Sequence, residues 1–262
     1  MRAALLVLAL ALAPQDPGDD GPTPAQVAEA RGALDAALRS GELAALLAAL
    51  EAAQRVPHAE VVKRVARALR DERKEVQLAA LASLRWNAHA EALAALTQAQ
   101  EERRWKDDRE LLIASLRAIG QHGDPRSVAL LAREPFEPHD HAVWRARIFG
   151  LARIGTEPAL EALLGILGAT TTGRPPERRV APLMPEMRTA LVLLTGVDLG
   201  LAPELWEDWW RANRKRYRPP EKTPLLPKEL REGWDEFWGL PPFYERERRR
   251  EDRGREPPPR SP

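Results

Sequence analysis

The densest group of chemically active side chains is His139-Asp140-His141, with Arg145 and Arg147 a few residues beyond. Two histidines separated by one residue can supply two metal ligands, and a carboxylate between them can orient an imidazole. The sequence offers no evident third ligand. Asp140 also precedes a run with helical spacing, which predicts an N-cap residue instead. A further interpretation places Asp140, His141, Arg145 and Arg147 in a groove that binds an anionic group.

The usual sequence patterns of catalytic sites are absent from the chain. It has no phosphate-binding loop, no dinucleotide fingerprint and no Gly-x-Ser-x-Gly elbow. Cysteine is also absent, which excludes disulfides, thiolate zinc sites and thiol nucleophiles. The sequence therefore assigns no catalytic residue, no metal and no cofactor.

Charge is nearly balanced, with 40 basic and 39 acidic residues and a formal net charge of +1. Binding to nucleic acid depends on clustered Lys and Arg that acidic neighbours do not offset. The balance therefore argues against a nucleic-acid partner.

The elements that position these residues are predicted to be helices. Alanine, leucine, glutamate and arginine dominate the chain, and aromatic residues make up only 5%. Apolar residues recur at spacings of three and four, which places each set on one helix face. Two such stripes are Val61, Val62, Val65, Ala66 and Leu69, and Trp144, Ile148, Leu151 and Ile154. The prediction is an all-α protein.

The helical segments repeat. Leu81-Ala-Ser-Leu-Arg85 returns as Ile113-Ala-Ser-Leu-Arg117, and Leu116-Arg-Ala-Ile-Gly120 returns as Leu151-Ala-Arg-Ile-Gly155. A period in the low thirties is compatible with a tetratricopeptide unit or a short HEAT-type unit. A Gly123-Asp-Pro125 turn separates the helices, and the Trp-Leu-Gly-Tyr pattern of a tetratricopeptide helix is lacking. We therefore expect four to five HEAT-like helix pairs over residues 25–217.

The run that contains this turn, Ile-Gly-x-x-Gly-Asp-Pro-x-x-Val-x-x-Leu, resembles short HEAT-like repeats of bacterial proteins. Leu194-Thr-Gly-Val-Asp-Leu-Gly200, followed by Trp206-Glu-Asp-Trp-Trp-Arg-Ala-Asn213, resembles the closing segment of a family of exported bacterial HEAT-repeat proteins. The resemblance covers residues 25–217. It implies an α-solenoid, an armadillo-like helical array, with a Trp-rich C-terminal cap helix. The family has no established activity, so the resemblance leaves the function open.

Tryptophan is concentrated near the end of the repeats. Trp206, Trp209 and Trp210 lie at i, i+3 and i+4, so their rings share one helix face. Such a face could be an aromatic platform for a sugar or peptide. The alternative, which the sequence favours, is a cap helix that buries its rings on the last repeat.

Residues 218–262 form a separate tail rich in proline and arginine. A short aromatic helix is predicted near 227–238, with Trp234 and Trp238 on its apolar face. This face would be buried either on the repeats or in the groove of a partner. Residues 245–262 are expected to be disordered.

Residues 169–179 predict a longer loop between helices, with three arginines. Long loops in compact arrays are often functional, although a surface insertion is an equally ordinary explanation.

The N-terminus reads as a secretory signal. Residues 1–13 are Met-Arg followed by a short run of alanine, leucine and valine, and residues 14–24 form a turn-rich, acidic linker. The run is too short to span a bilayer. A helix docked on the core is the alternative. We expect export to the periplasm or beyond, with no stable membrane span after cleavage.

These patterns predict a non-catalytic extracytoplasmic scaffold that binds a protein or peptide partner. The candidate binding residues are Asp140, His141, Arg145, Arg147, Trp234 and Trp238. One alternative is an enzyme built on a HEAT-like solenoid, of the lyase or glycosylase type. Another is a structural component of the cell envelope.

Overall fold

The computed structural model describes residues 21–135, 137–171 and 183–240. In these residues every regular element is helical, which confirms the all-α prediction. The helices are α1 (Pro24–Ser40), α2 (Leu43–Ala53), α3 (Ala59–Ala68), α4 (Lys74–Trp86), α5 (Ala90–Gln100), α6 (Arg103–Asp107), α7 (Arg109–Gln121), α8 (Val128–Ala132), α9 (His141–Ile154), α10 (Glu157–Thr171), α11 (Met184–Thr195), α12 (Pro203–Asn213) and α13 (Lys228–Trp238). None of these thirteen is long and apolar enough to cross a membrane.

Several segments that carried predictions lie outside the described residues. They are the signal segment at 1–13, most of the linker at 14–24, most of the loop at 169–179, and the part of the tail beyond residue 240.

Local sequence signals set the ends of α1. The side chain of Thr23 accepts a hydrogen bond from Gln26 N at 3.3 Å, and the backbone N–H of Thr23 donates to Gln26 Oε1 at 2.8 Å. This reciprocal capping box satisfies two donors that the helix start would leave unpaired. Pro24 occupies the first helical position, where its missing N–H costs nothing. Gly41 ends the helix with a φ of 65°, a conformation that glycine adopts without strain.

The described helices pack in the order in which they follow along the chain. The contacts run from α2 to α4, α7, α9 and α11 in turn, and these five helices are called the α2–α11 row below. Other helices contact the row and one another: α1 contacts α3, α3 contacts α5, α8 contacts α10, and α10 contacts α12. Each helix of the row buries a leucine completely: Leu50, Leu84, Leu116, Leu151 and Leu191 are all 0% exposed. Burial of these side chains is the main stabilising contribution to the row.

Side chains near the end of one helix of the α2–α11 row cap the C-terminal end of the helix before it in the row. The last carbonyl groups of a helix have no partner within that helix. Four hydrogen bonds from three side chains satisfy such groups, and each of these side chains lies near the C-terminal end of the later helix. They run from Asn87 Nδ2 to Val56 O at 3.1 Å and Ala53 O at 3.3 Å, from His122 Nε2 to Leu84 O at 3.0 Å, and from Arg153 Nε to Gln121 O at 3.2 Å. The C-terminal ends of α2, α4, α7 and α9 are therefore connected in series.

The described chain divides into two compact units between Leu225 and Leu226. The first contains α1–α12, and the second contains α13. Within the second unit, α13 follows Pro227 and ends at Gly239, whose φ is 68°. The guanidinium of Arg231 donates to the carbonyl oxygen of Leu226 at 2.6 Å and ties the helix to the residue before Pro227.

Candidate functional site

Asp140 is the N-cap residue of α9. Its Oδ1 accepts hydrogen bonds from Ala142 N at 2.9 Å and Val143 N at 3.2 Å. Its Oδ2 accepts a hydrogen bond from Arg109 on α7. Burial alone would raise the pKa of Asp140, but the hydrogen bonds and the charge of Arg109 hold it below its ordinary value. Both carboxylate oxygens therefore act in starting α9 and in joining it to α7.

Arg145 and His141 point from α9 to Glu186, in the first turn of α11. Arg145 donates to Glu186 Oε1 from Nε at 3.0 Å and from a terminal nitrogen at 2.8 Å. His141 Nε2 lies 3.5 Å from the same oxygen. The Glu186 side chain is only 7% exposed, and both nitrogens of Arg145 reach one of its carboxylate oxygens. These contacts join two neighbouring helices of the α2–α11 row.

Arg147 points away from the other three residues. It follows Arg145 by two positions, which places it about 200° further around the helix. One terminal nitrogen donates to Leu130 O at 3.3 Å and to Leu131 O at 3.2 Å, in α8. The four candidates therefore do not converge: Asp140, His141 and Arg145 contact α7 and α11, and Arg147 contacts α8.

The two histidines of the His-x-His pattern have different surroundings. The ring of His139 packs on Trp144 with a centroid separation of 4.7 Å. His141 lies beside Glu186. Among the described residues, no group of three His, Asp or Glu side chains is placed to hold a metal ion.

The tryptophans of α12 pack among aromatic and backbone groups of the same region. Trp206 is 0% exposed, and its Nε1 donates to Gly200 O at 3.1 Å. Trp209 and Trp210 are stacked at 6.4 Å. Tyr217 meets both rings edge-on, at 6.3 Å from Trp209 and 5.4 Å from Trp210. Trp206 is thus a packed core side chain, and Trp209 and Trp210 are half-buried against Tyr217.

Trp234 and Trp238 lie one turn apart on α13. Their rings are in edge contact at 5.5 Å, and Phe237 meets Trp238 edge-on at 4.8 Å. The three rings thus form one aromatic cluster on a single helix.

A different cluster lies along the α2–α11 row. Arg85 is in the last turn of α4, Arg117 is in α7, and Arg153 is in the last turn of α9. These helices pack on one another in that order. The Cζ of Arg85 sits 4.6 Å from the centroid of the Trp86 ring, a cation–π contact with an indole that is 37% exposed. We call Arg85, Arg117, Arg153 and Trp86 the arginine cluster.

The positive charges of Arg117 and Arg153 are close enough to affect the ionisation of Arg85. Burial and the positive charges of Arg117 and Arg153 together lower the pKa of Arg85 to about 9. Burial also lowers the pKa of Arg117 and of Arg153. A neighbouring anion would reduce the repulsion between three like charges on adjacent helices. Arginine binds carboxylates in particular, because its paired N–H groups match the two carboxylate oxygens.

The sequence contained only a partial signal for this cluster. Arg85 and Arg117 end the two copies of the repeated pentapeptide, so their recurrence was visible. Arg153 falls one position later in the following copy, where alanine aligns with Arg117. Their common location depends on how three helices stack, which periodicity within one helix does not reveal.

No protein-family model matches the chain, and no curated protein is significantly similar to it. Among the contacts of the described residues, the arginine cluster indicates one kind of ligand, a carboxylate.

Proposed function

We propose that the chain is an exported, non-catalytic binding scaffold that holds an acidic segment of a partner protein. In this proposal it is a solenoid of five HEAT-like helix pairs: α1–α2, α3–α4, α5–α7, α8–α9 and α10–α11, with α12 as the closing helix. The order of helix contacts supports this arrangement, because stacked repeats contact mainly their neighbours. Stacked repeats also present equivalent positions in a line, which suits an extended ligand.

The arginine cluster is the observation that carries the proposal. Neighbouring helix axes are about 8–10 Å apart. A peptide in the polyproline II conformation advances about 3.1 Å per residue with three residues per turn, so every third side chain lies on the same face. A segment that crosses α4, α7 and α9 would therefore bring every third residue near one of Arg85, Arg117 and Arg153. Carboxylates at i, i+3 and i+6 fit this spacing. The exposed part of the Trp86 indole offers an apolar contact at one end.

Fluorescence polarisation with labelled peptides tests the proposal directly. The probe is a Gly/Ser peptide with three glutamates at every third position, and its control has glutamines at the same positions. We expect saturable binding of the glutamate peptide that weakens as salt is raised. A third peptide with its three glutamates adjacent should bind less tightly, because only one or two of them can reach an arginine.

The decisive comparison uses two triple variants that lose the same charge. Arg85→Gln/Arg117→Gln/Arg153→Gln should bind the glutamate peptide about tenfold or more weakly, since charge-assisted hydrogen bonds are lost. The matched control replaces exposed arginines elsewhere, Arg31→Gln/Arg55→Gln/Arg216→Gln, and should bind nearly as wild type. Equal affinity of the two triple variants would overturn the proposal, as would equal binding of the glutamine peptide.

The location has its own test, because export is an independent part of the proposal. N-terminal sequencing of the protein from fractionated cells should show loss of the first residues and recovery outside the cytoplasm. An intact Met1 in the cytoplasmic fraction would overturn export. Crosslinking in intact envelopes, followed by mass spectrometry, should then capture a partner with an acidic segment from wild type and not from the cluster variant.

A further inference from the structure

A cavity of about 190 Å³ lies beside α9, on the face opposite Arg145. Gln100 of α5, Leu112 of α7 and Arg147 form its buried part, each 8% exposed or less. Lys106, Arg133 and Glu134 also line it, and these three are exposed residues at its mouth. The wall of the cavity therefore combines polar and apolar groups, and the cavity is open to solvent.

Arg147 is a buried cation that forms no salt bridge among the described residues, although the charge of Glu134 favours its protonated form and partly opposes the effect of burial on its pKa. Of its five N–H groups, two on one terminal nitrogen donate to Leu130 O and Leu131 O, and one on the other nitrogen makes a long contact of 3.5 Å with Glu137 O. Its Nε makes no hydrogen bond among the described residues. Its contacts are thus to neutral carbonyl groups, and burial lowers its pKa. Burying a charge is costly unless it is paired with an opposite charge.

A second buried donor faces the same space. Gln100 is 4% exposed, and its Oε1 accepts a hydrogen bond from Ser115 Oγ. That bond fixes the orientation of the carboxamide, whose Nε2 is a hydrogen-bond donor. The cavity therefore combines a guanidinium with an amide donor, and both suit a small oxyanion.

The charges at the mouth limit the charge of such an anion. Arg133 is paired with Glu101 at 2.6 Å, which offsets its charge, and Lys106 is the other cation among the described residues that line the mouth. Glu134 and Glu137 line the cavity as well, so a second negative charge on the ligand would be repelled. Glu134 has a φ of 47°, an uncommon conformation for a residue with a side chain, and the chain turns there around the cavity.

We propose that this cavity binds a small monocarboxylate, with Arg147 as its charge partner and Gln100 as a second hydrogen-bond donor. The bound carboxylate would neutralise the buried guanidinium and would occupy space between α5, α7 and α9. This proposal does not depend on the arginine cluster, which lies at the C-terminal ends of the row.

Isothermal titration calorimetry of the full chain with sodium acetate tests the proposal, at constant ionic strength. We expect saturable binding with a Kd of about 1 mM, since a ligand of four heavy atoms has a limited affinity. Acetamide, which has the same shape and no charge, should not bind. Inorganic phosphate should bind more weakly than acetate because of the glutamates at the mouth.

Charge variants at the mouth separate ligand binding from a purely structural role of Arg147. Lys106→Gln should weaken acetate binding by about fivefold and Glu134→Gln should strengthen it by about as much, the range of exposed charge pairs. Lys63→Gln, an exposed lysine on α3, is the matched control and should leave the Kd unchanged. Arg147→Lys should abolish binding, and circular dichroism reports whether that variant is folded.

Absence of saturable acetate binding to the wild type at about ten times the expected Kd would overturn the proposal. Equal Kd values for the Lys106 and Glu134 variants would also overturn it. Acetate should not displace the labelled glutamate peptide from the arginine cluster, so failure of either proposal can be recognised without the other.

Discussion

His122 Nε2 donates a hydrogen bond of 3.0 Å to the carbonyl oxygen of Leu84, which connects the C-terminal end of α7 to that of α4. The ring is largely buried between these layers. Burial lowers the pKa of His122, and the hydrogen bond to Leu84 and the charge of Asp124 oppose only part of this effect. The imidazole is therefore held neutral in the folded chain at neutral pH.

This relationship predicts a loss of stability in acid. In the unfolded chain a histidine has a pKa of about 6.5, above its value in the fold, so the unfolded state binds the proton first. The contribution of neutral His122 is complete above about pH 6.5 and decreases as the pH falls from there towards the lowered folded pKa. His122→Gln retains a donor for Leu84 without a group that titrates. The difference in unfolding free energy between wild type and this variant, from urea denaturation, should therefore decrease between pH 8 and pH 5.5. A difference that does not change with pH would contradict the prediction.

Asn87 should be a strong stabilising residue in the α2–α11 row. It is 1% exposed, and its Nδ2 donates to the carbonyls of Ala53 and Val56 in the preceding layer. Asn87→Ala leaves the buried carbonyl of Ala53 and the partly buried carbonyl of Val56 without this partner and should cost about 2–3 kcal/mol in unfolding free energy. Gln98→Ala, an exposed helical site, is the control and should change stability by less than about 0.5 kcal/mol. A similar small effect for both variants would show that the capping contacts contribute little.

Asp140 should stabilise the fold in two ways, as the N-cap of α9 and as the ion-pair partner of Arg109. Two substitutions separate these contributions. Asp140→Ala removes both and should cost about 1–2 kcal/mol at pH 7. Asp140→Asn retains a capping oxygen and loses only the charge, so its cost should be smaller. The pKa of Asp140 is held below its ordinary value, so the charge contributes fully above about pH 4. The difference between wild type and Asp140→Asn should therefore diminish as the pH falls below that range. An Asn variant as unstable as the Ala variant would rule out the cap as the main contribution.

The hydroxyl of Tyr217 should ionise only at strongly alkaline pH. It donates to Leu194 O at 2.7 Å, and burial with the charge of Glu157 raises its pKa to about 12. Absorbance at alkaline pH should show an ionisation near pH 12 that is missing in Tyr217→Phe. Because an unfolded tyrosine ionises near pH 10, the stability contributed by this hydroxyl should be lost as the pH rises from about 10 to 12. At pH 7 the Phe variant should cost about 1 kcal/mol for the lost hydrogen bond. Identical titration curves for the two proteins would contradict this placement of the hydroxyl.

Local features of the fold followed from local sequence. Pro24 at the first position of α1, Gly41 just past its end and Asp140 before α9 act within one helical turn, so their effects need no knowledge of the neighbours. The stripe Trp144, Ile148, Leu151 and Ile154 is buried as its spacing predicted, with each side chain 7% exposed or less. Helical periodicity states which residues share a face, and burial of an apolar face follows from the hydrophobic effect.

The tertiary structure determines which polar side chains contact one another. Arg145 and Arg147 are two residues apart in one motif, yet one pairs with Glu186 of α11 and the other donates to the carbonyls of Leu130 and Leu131. Likewise, Arg85, Arg117 and Arg153 come from three helices and share one electrostatic environment only because those helices stack. The sequence by itself determined the helices, their ends and their apolar faces, since these depend on residues within a turn or two. The partners of each charge depend on the offset between neighbouring helices, which is set by side-chain packing across tens of residues.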